Sequence, residues 1–75
     1  MTSDRWYDEL GSNIRGRMLD AGMTQAALSR ATGINRVTIN RSLWGTQNFS
    51  PASLLLISEA LNVTADELFP KWLPD

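Results

Sequence analysis

Residues 24–45, TQAALSRATGINRVTINRSLWG, decide how this chain is read. They form two short helical segments joined by a tight turn at Gly33. Thr24 is the N-cap candidate of the first, since its hydroxyl can accept from an unpaired amide of the opening turn. That helix is expected to run from Gln25 to Thr32 and to bury Leu28 and Ala31. Gly33 ends it, being free to take a positive φ. Asn35 caps the second helix, which continues to Trp44 and stops at Gly45. There Ile39 and Leu43 lie four residues apart and face inward, which turns Arg36, Val37, Asn40 and Arg41 outward or to the flanks. A short helix with that polar face is shaped to lie in a groove and meet base edges and phosphates.

Three more helices flank this pair. The first is expected after Ser3, with Asp4 in its first turn, and runs to about Asp20; Trp6, Leu10, Ile14 and Met18 recur every four residues and mark its buried face. Gly11 and Gly16 weaken it, each by about 1 kcal/mol against alanine. Gly22 is a stop signal. Beyond Gly45, Thr46 to Asn48 is a polar loop. Ser50-Pro51 is a strong helix start, with serine as cap and proline at the first helical position. Leu54, Ile57 and Leu61 give this fourth helix its core stripe, with Ala60 beside it. Leu55 and Leu56 widen the stripe beyond what one small core needs. Thr64 to Glu67 is a capping box that opens a short fifth helix ending near Phe69, before Pro70. No segment alternates as a strand does. The expectation is an all-α, five-helix domain spanning 1–75, with its core at about 5–69 and a tail at 70–75.

Composition narrows the function classes. Seventy-five residues allow one domain, and a chain this small buries only about 60% of the surface its unfolded form exposes. So thin a core favours help from a second copy. There is no cysteine and no histidine, which excludes disulfides and thiolate metal sites and removes the usual general base. With no carboxylate pair outside solvated helix starts, an enzyme, a metal and a cofactor are not expected. The start MTSDRWYDEL lacks a signal peptide's basic and apolar regions. No run approaches the ~20 apolar residues of a membrane span. The expected location is therefore the cytoplasm, at the nucleoid, with neither a membrane nor a small-molecule ligand as partner.

The net charge of −1 argues against nucleic acid, but its distribution argues for it. Residues 1–10 carry Asp4, Asp8 and Glu9 against Arg5. Residues 59–75 carry Glu59, Asp66, Glu67 and Asp75 against Lys71. Between them Arg15, Arg17, Arg30, Arg36 and Arg41 face Asp20 alone. All five positive charges there are arginine, whose planar fork suits phosphate and guanine.

Thr24-Gln25, Leu28, Gly33, Ile39 and Gly45 resemble the lambda-repressor-like helix-turn-helix family of phage repressors, Cro and Xre-type regulators. The resemblance continues through Pro51, Leu54-x-x-Ile57-x-x-Ala60-Leu61, Val63-Thr64 and Asp66-Glu67-Leu68. It covers about Arg15 to Phe69, and its specificity lies in the joint spacing across five helices. Two positions depart from the family pattern. Ser29 stands where a small apolar residue is usual, and Ser42 near an apolar one, which leaves core filling to Leu43 and Trp44.

The resemblance implies that the third helix lies in the major groove of double-stranded DNA, with Arg36, Val37, Asn40 and Arg41 at base-reading positions. Those side chains suit the role. Arginine reads guanine and asparagine reads adenine in bidentate fashion, and a valine methyl packs on the thymine methyl. Gln25 is implied to brace the backbone and the first reading residue. Backbone-contacting or supporting roles fall to Arg17, Thr24, Gln25, Asn35, Thr38, Thr46, Gln47 and Asn48. Trp44 is open between a phosphate donor, a core role and a dimer role. Arg15 and Arg17 serve phosphates or surface salt bridges. Homodimerisation through Leu55, Phe69, Trp72 and Leu73 is expected, on a pseudo-palindromic operator. The competing reading keeps the fold as a protein-interaction module, such as an antitoxin or an anti-regulator.

Overall fold

The computed structural model describes residues 6–72. Five helices follow one another: α1 (Trp6–Ala21), α2 (Gln25–Thr32), α3 (Arg36–Leu43), α4 (Pro51–Leu61) and α5 (Ala65–Leu68). Among the described residues there is no strand. The expected cap Ser3, Asp4 and the tail residue Leu73 lie outside the described residues.

Local chemistry places the ends. Thr24 accepts from the Ala27 amide, Asn35 from Val37 and Ser50 from Ser53, with Pro51 opening α4. Thr64 and Glu67 close the capping box, the Glu67 carboxylate accepting the Thr64 N–H at 2.9 Å. Each cap satisfies an amide that the helix leaves unpaired, for about 0.5–2 kcal/mol. α3 ends at Leu43 with Trp44 as its cap, and the chain turns over at Gly45, whose φ is 81°. There the Thr46 N–H reaches the Arg41 carbonyl and the Gly45 N–H the Ser42 carbonyl, the paired bonds of a Schellman turn.

The core is one cluster to which every helix contributes. Leu10, Ile14 and Met18 come from α1, Leu28 from α2, and Ile39 and Leu43 from α3. Leu54, Ile57 and Leu61 from α4 and Leu68 from α5 complete it. Trp6, Met23, Ile34, Phe49 and Phe69 pack around its edge.

Three readings of the sequence are corrected. Ala31 is exposed rather than buried. The inward side of α2 is centred on Leu28, with Gln25, Ser29 and Thr32 half-buried around it, and that rotation leaves Ala31 at the surface. Trp44 does not fill the core: its ring is 59% exposed, while Ser42 and Leu43 are both buried. Ser42 lines a partly open pocket of about 120 Å³ between α3, the following loop and α4, with Thr38, Ile39, Phe49 and Ile57 among its walls. Gly11, finally, is more than a weak point of α1. It is buried against α3, where a Cβ would stand 2.5 Å from the Leu43 carbonyl oxygen, so only glycine lets the two helices meet this closely.

Candidate nucleic-acid interface

The turn between α2 and α3 aims the rest of the site. Gly33 takes φ 79°, and its N–H closes on the Ser29 carbonyl. Two side-chain hydroxyls then fix the exit of the chain. Ser29 donates to the Ile34 carbonyl. Thr32 donates to the Leu28 carbonyl and accepts the Ile34 N–H at 3.1 Å. A turn bonded on both sides holds α3 at one angle to α2, because backbone groups left half-buried need these partners. At Ser29, where the family usually has a small apolar residue, the hydroxyl is what the turn uses.

With that angle set, Ile39 and Leu43 point down and the opposite side of α3 is open. Gln25, Arg36, Val37, Asn40 and Arg41 line one shallow depression on the surface. Val37 is 56% exposed although apolar. The burial that would account for a core valine is absent, so a methyl pair stands in water between two arginines. Asn40 donates to Gln25 Oε1 at 3.3 Å. The resemblance implied that Gln25 braces the first reading residue; its partner within the chain is Asn40, one turn further along α3.

The supporting residues divide by what their side chains already do. Thr24 and Asn35 are occupied as caps. Thr46 donates to the Arg41 carbonyl at 3.0 Å, and Gln47 and Asn48 are exposed in the loop beside it. Thr38 is half-buried against the pocket under α3. Arg17 is not gathered with this group: it pairs with Glu67 of α5 at 3.4 Å. That carboxyl is held below the usual range, first by the Thr64 N–H and hydroxyl it accepts and then by Arg17 and Lys71.

The residues expected at a dimer contact lie elsewhere. Leu55 is 60% exposed on the outer face of α4, with Leu56 beside it also exposed. Phe69 stacks on Trp6, with ring centroids 6.2 Å apart. The Trp72 indole N–H donates to Glu9 at 2.7 Å, which ties the tail to α1. Among the described residues no three Asp, Glu, His or Cys side chains come together as a metal site would require. None of the described helices is long and apolar enough to cross a membrane.

Comparison with known proteins agrees with this geometry. The helix-turn-helix family HTH_3 matches residues 14–68, so the chain belongs to that family, whose members are DNA-binding transcriptional regulators. The restriction-modification controller protein C.AhdI from Aeromonas hydrophila is 25% identical and superposes with a TM-score of 0.81, over 84% of this chain and 96% of that one. The P22 c2 repressor, solved in complex with a synthetic operator, is 30% identical over 79% of this chain and 89% of its own, with a TM-score of 0.73. A hypothetical transcription factor from Neisseria shares the fold at 23% identity and a TM-score of 0.81. No curated protein matches the chain.

Proposed function

We propose that this chain is a sequence-specific regulator that occupies a pseudo-palindromic operator as a homodimer, each copy laying α3 in the major groove. The single observation that carries the reading is the open face of α3. There Arg36, Val37, Asn40 and Arg41 stand together around Gln25 with no part of the described chain covering them. Arg36 and Arg41 have the fork for guanine, Asn40 the amide for adenine, and Val37 the methyls for thymine. The Gln25 bond to Asn40 narrows the orientations that amide can take before DNA arrives. Thr24, Asn35, Thr38, Thr46, Gln47 and Asn48 are assigned backbone contacts or support beside this face. These run chiefly through helix N-terminal amides and uncharged donors.

Dimerisation is proposed through Leu55 and the Phe69–Leu73 segment, supported by the exposed leucines of α4 and the half-exposed Trp72 ring. Two copies place their reading helices about one DNA turn (~34 Å) apart on half-sites of opposite sense. Repression by excluding polymerase is the proposed action, in a phage or a bacterium.

Arg17 pairs with Glu67 through one guanidinium nitrogen, and its other donors can still reach a phosphate. Arg17→Gln separates the cases: a lowered salt slope marks a phosphate contact, a lowered Tm alone marks a tie between α1 and α5.

Selection of bound sites from random duplex DNA tests the proposal as a whole. The expected product is a dyad with defined half-site spacing. Its affinity should fall with salt at a slope of about −0.9 for each phosphate neutralised. Recovery of no common sequence, with weak and salt-insensitive binding, overturns it in favour of a protein-interaction module.

A further inference from the structure

The C-terminal end of α3 is held in a way that neither the open face nor the turn explains. Asp8, Gly11 and Arg15 lie on α1 at spacings of three and four residues, one stripe of that helix. All three meet the segment from Leu43 to Gly45. Gly11 allows the Leu43 carbonyl against the α1 backbone. Arg15 donates from its guanidinium to that same carbonyl. Its guanidinium carbon also lies 3.9 Å from the centre of the Trp44 ring. The Asp8 carboxylate sits where a side chain at Gly45 would go.

Each contact has a physical reason. Leu43 is the last residue of α3, so its carbonyl has no partner within the helix and carries part of the negative end of the helix dipole. A guanidinium satisfies both the lone pair and the dipole. The planar group can also stack on an indole face while it donates in its own plane. A tryptophan left more than half exposed gains cover that the core does not give it.

We propose that Arg15 is a positioning residue for DNA reading. With Gly11 and Asp8 it clamps the end of α3 to α1, and so sets the angle at which Asn40 and Arg41 enter the groove. The proposal rests on the assignment of α3 as the reading helix. It gives Arg15 a task other than a phosphate contact, and it gives Trp44 the task of a stacking platform. The turn at Gly33 fixes the start of α3 and the clamp fixes its end. A rod held at both ends has one orientation, whereas a rod held at the turn alone can swing at its far end.

The test uses the full chain with Arg15→Ala, Arg15→Lys and Trp44→Leu. The last removes the stack at an exposed position and so keeps the question open should Arg15→Ala unfold. Amide exchange without DNA is measured first. The amides of residues 40–46 should exchange faster in Arg15→Ala while those of residues 34–38 hold, which tests the clamp even if the chain binds no operator. Binding to the selected operator should then fall about tenfold, the size of one weakened base contact, with binding to random duplex and the salt slope unchanged. Discrimination should suffer more at base pairs facing Asn40 and Arg41 than at those facing Arg36. Arg15→Lys keeps the charge but not the stack, and should recover little of that discrimination. Equal loss on both DNAs with a shallower salt slope, restored by lysine, identifies a phosphate contact and overturns the proposal. So does unchanged exchange in Arg15→Ala and in Trp44→Leu.

Discussion

The outer faces of α3 and α4 are both open to solvent and are built of opposite materials. On α3 the open side carries Arg36, Asn40 and Arg41, with one valine among them. On α4 it carries Leu55 and Leu56, with Ala52 and Glu59 on the same side. Both helices bury the same kind of inner stripe, Ile39 and Leu43 in one and Leu54, Ile57 and Leu61 in the other. The core therefore does not explain the difference. A polar, arginine-rich face loses little in water and gains against phosphate and base edges. An exposed leucine pair gains only when other apolar surface covers it. On the proposed function, one domain would present a face to nucleic acid and another to its own copy.

The largest expected effect removes what the two faces share. Ile39→Ala should cost about 2–5 kcal/mol by leaving a cavity under α3, read as a lower denaturation midpoint. In so small a domain both faces fail together. Arg36→Ala should separate them, lowering operator affinity by about 1–3 kcal/mol and relaxing preference at one base pair. Titration against single-base operator variants checks this, and a loss that is the same on every variant means that α3 does not read sequence through Arg36. Leu55→Glu is the converse. It should weaken the dimer by about tenfold or more in sedimentation analysis and leave the monomer's Tm unchanged, because the side chain is already exposed. An unaltered dimer constant moves the contact off this part of α4.

The smallest effect concerns neither face. Glu67 is held below its ordinary value of 4.5 by bonds that its ionised form accepts more strongly than its neutral form, first of all from Thr64. A carboxyl depressed in the folded state contributes stability above the ordinary value and loses it as pH falls through the lower folded value. Between neutrality and about pH 4.5 the Tm of the wild type and of Glu67→Gln should therefore run parallel. Below that range the wild type should lose more. Glutamine can keep the capping geometry, so the difference isolates the charge.

Much of the fold is legible residue by residue. Thr24, Asn35, Ser50 and Thr64 each announce a helix start because a cap acts on amides two or three residues away, within one turn. Leu28, Ile39 and Ile57 announce burial because helical spacing sets them inward whatever they face. The misses share a cause. Ala31 has the right spacing but lies at the flank, since rotation of α2 is fixed by what packs against it. Ser29 acts through a carbonyl beyond the turn. Gly11 reads as a helix breaker until its neighbour across the fold, the Leu43 carbonyl, is known. Arg15 carries no local sign that its partner lies 28 residues on.

The order of the helices, their caps and inner stripes, and the arginine-rich side of α3 all belong to the chain's own letters, because they depend on interactions that span a turn or less. The crossing of α1 over the end of α3, the pairing of Arg17 with α5 rather than with the α3 group, and the folding of Trp72 onto Glu9 were settled only when distant segments met. Contacts of that kind depend on distances that no local spacing encodes.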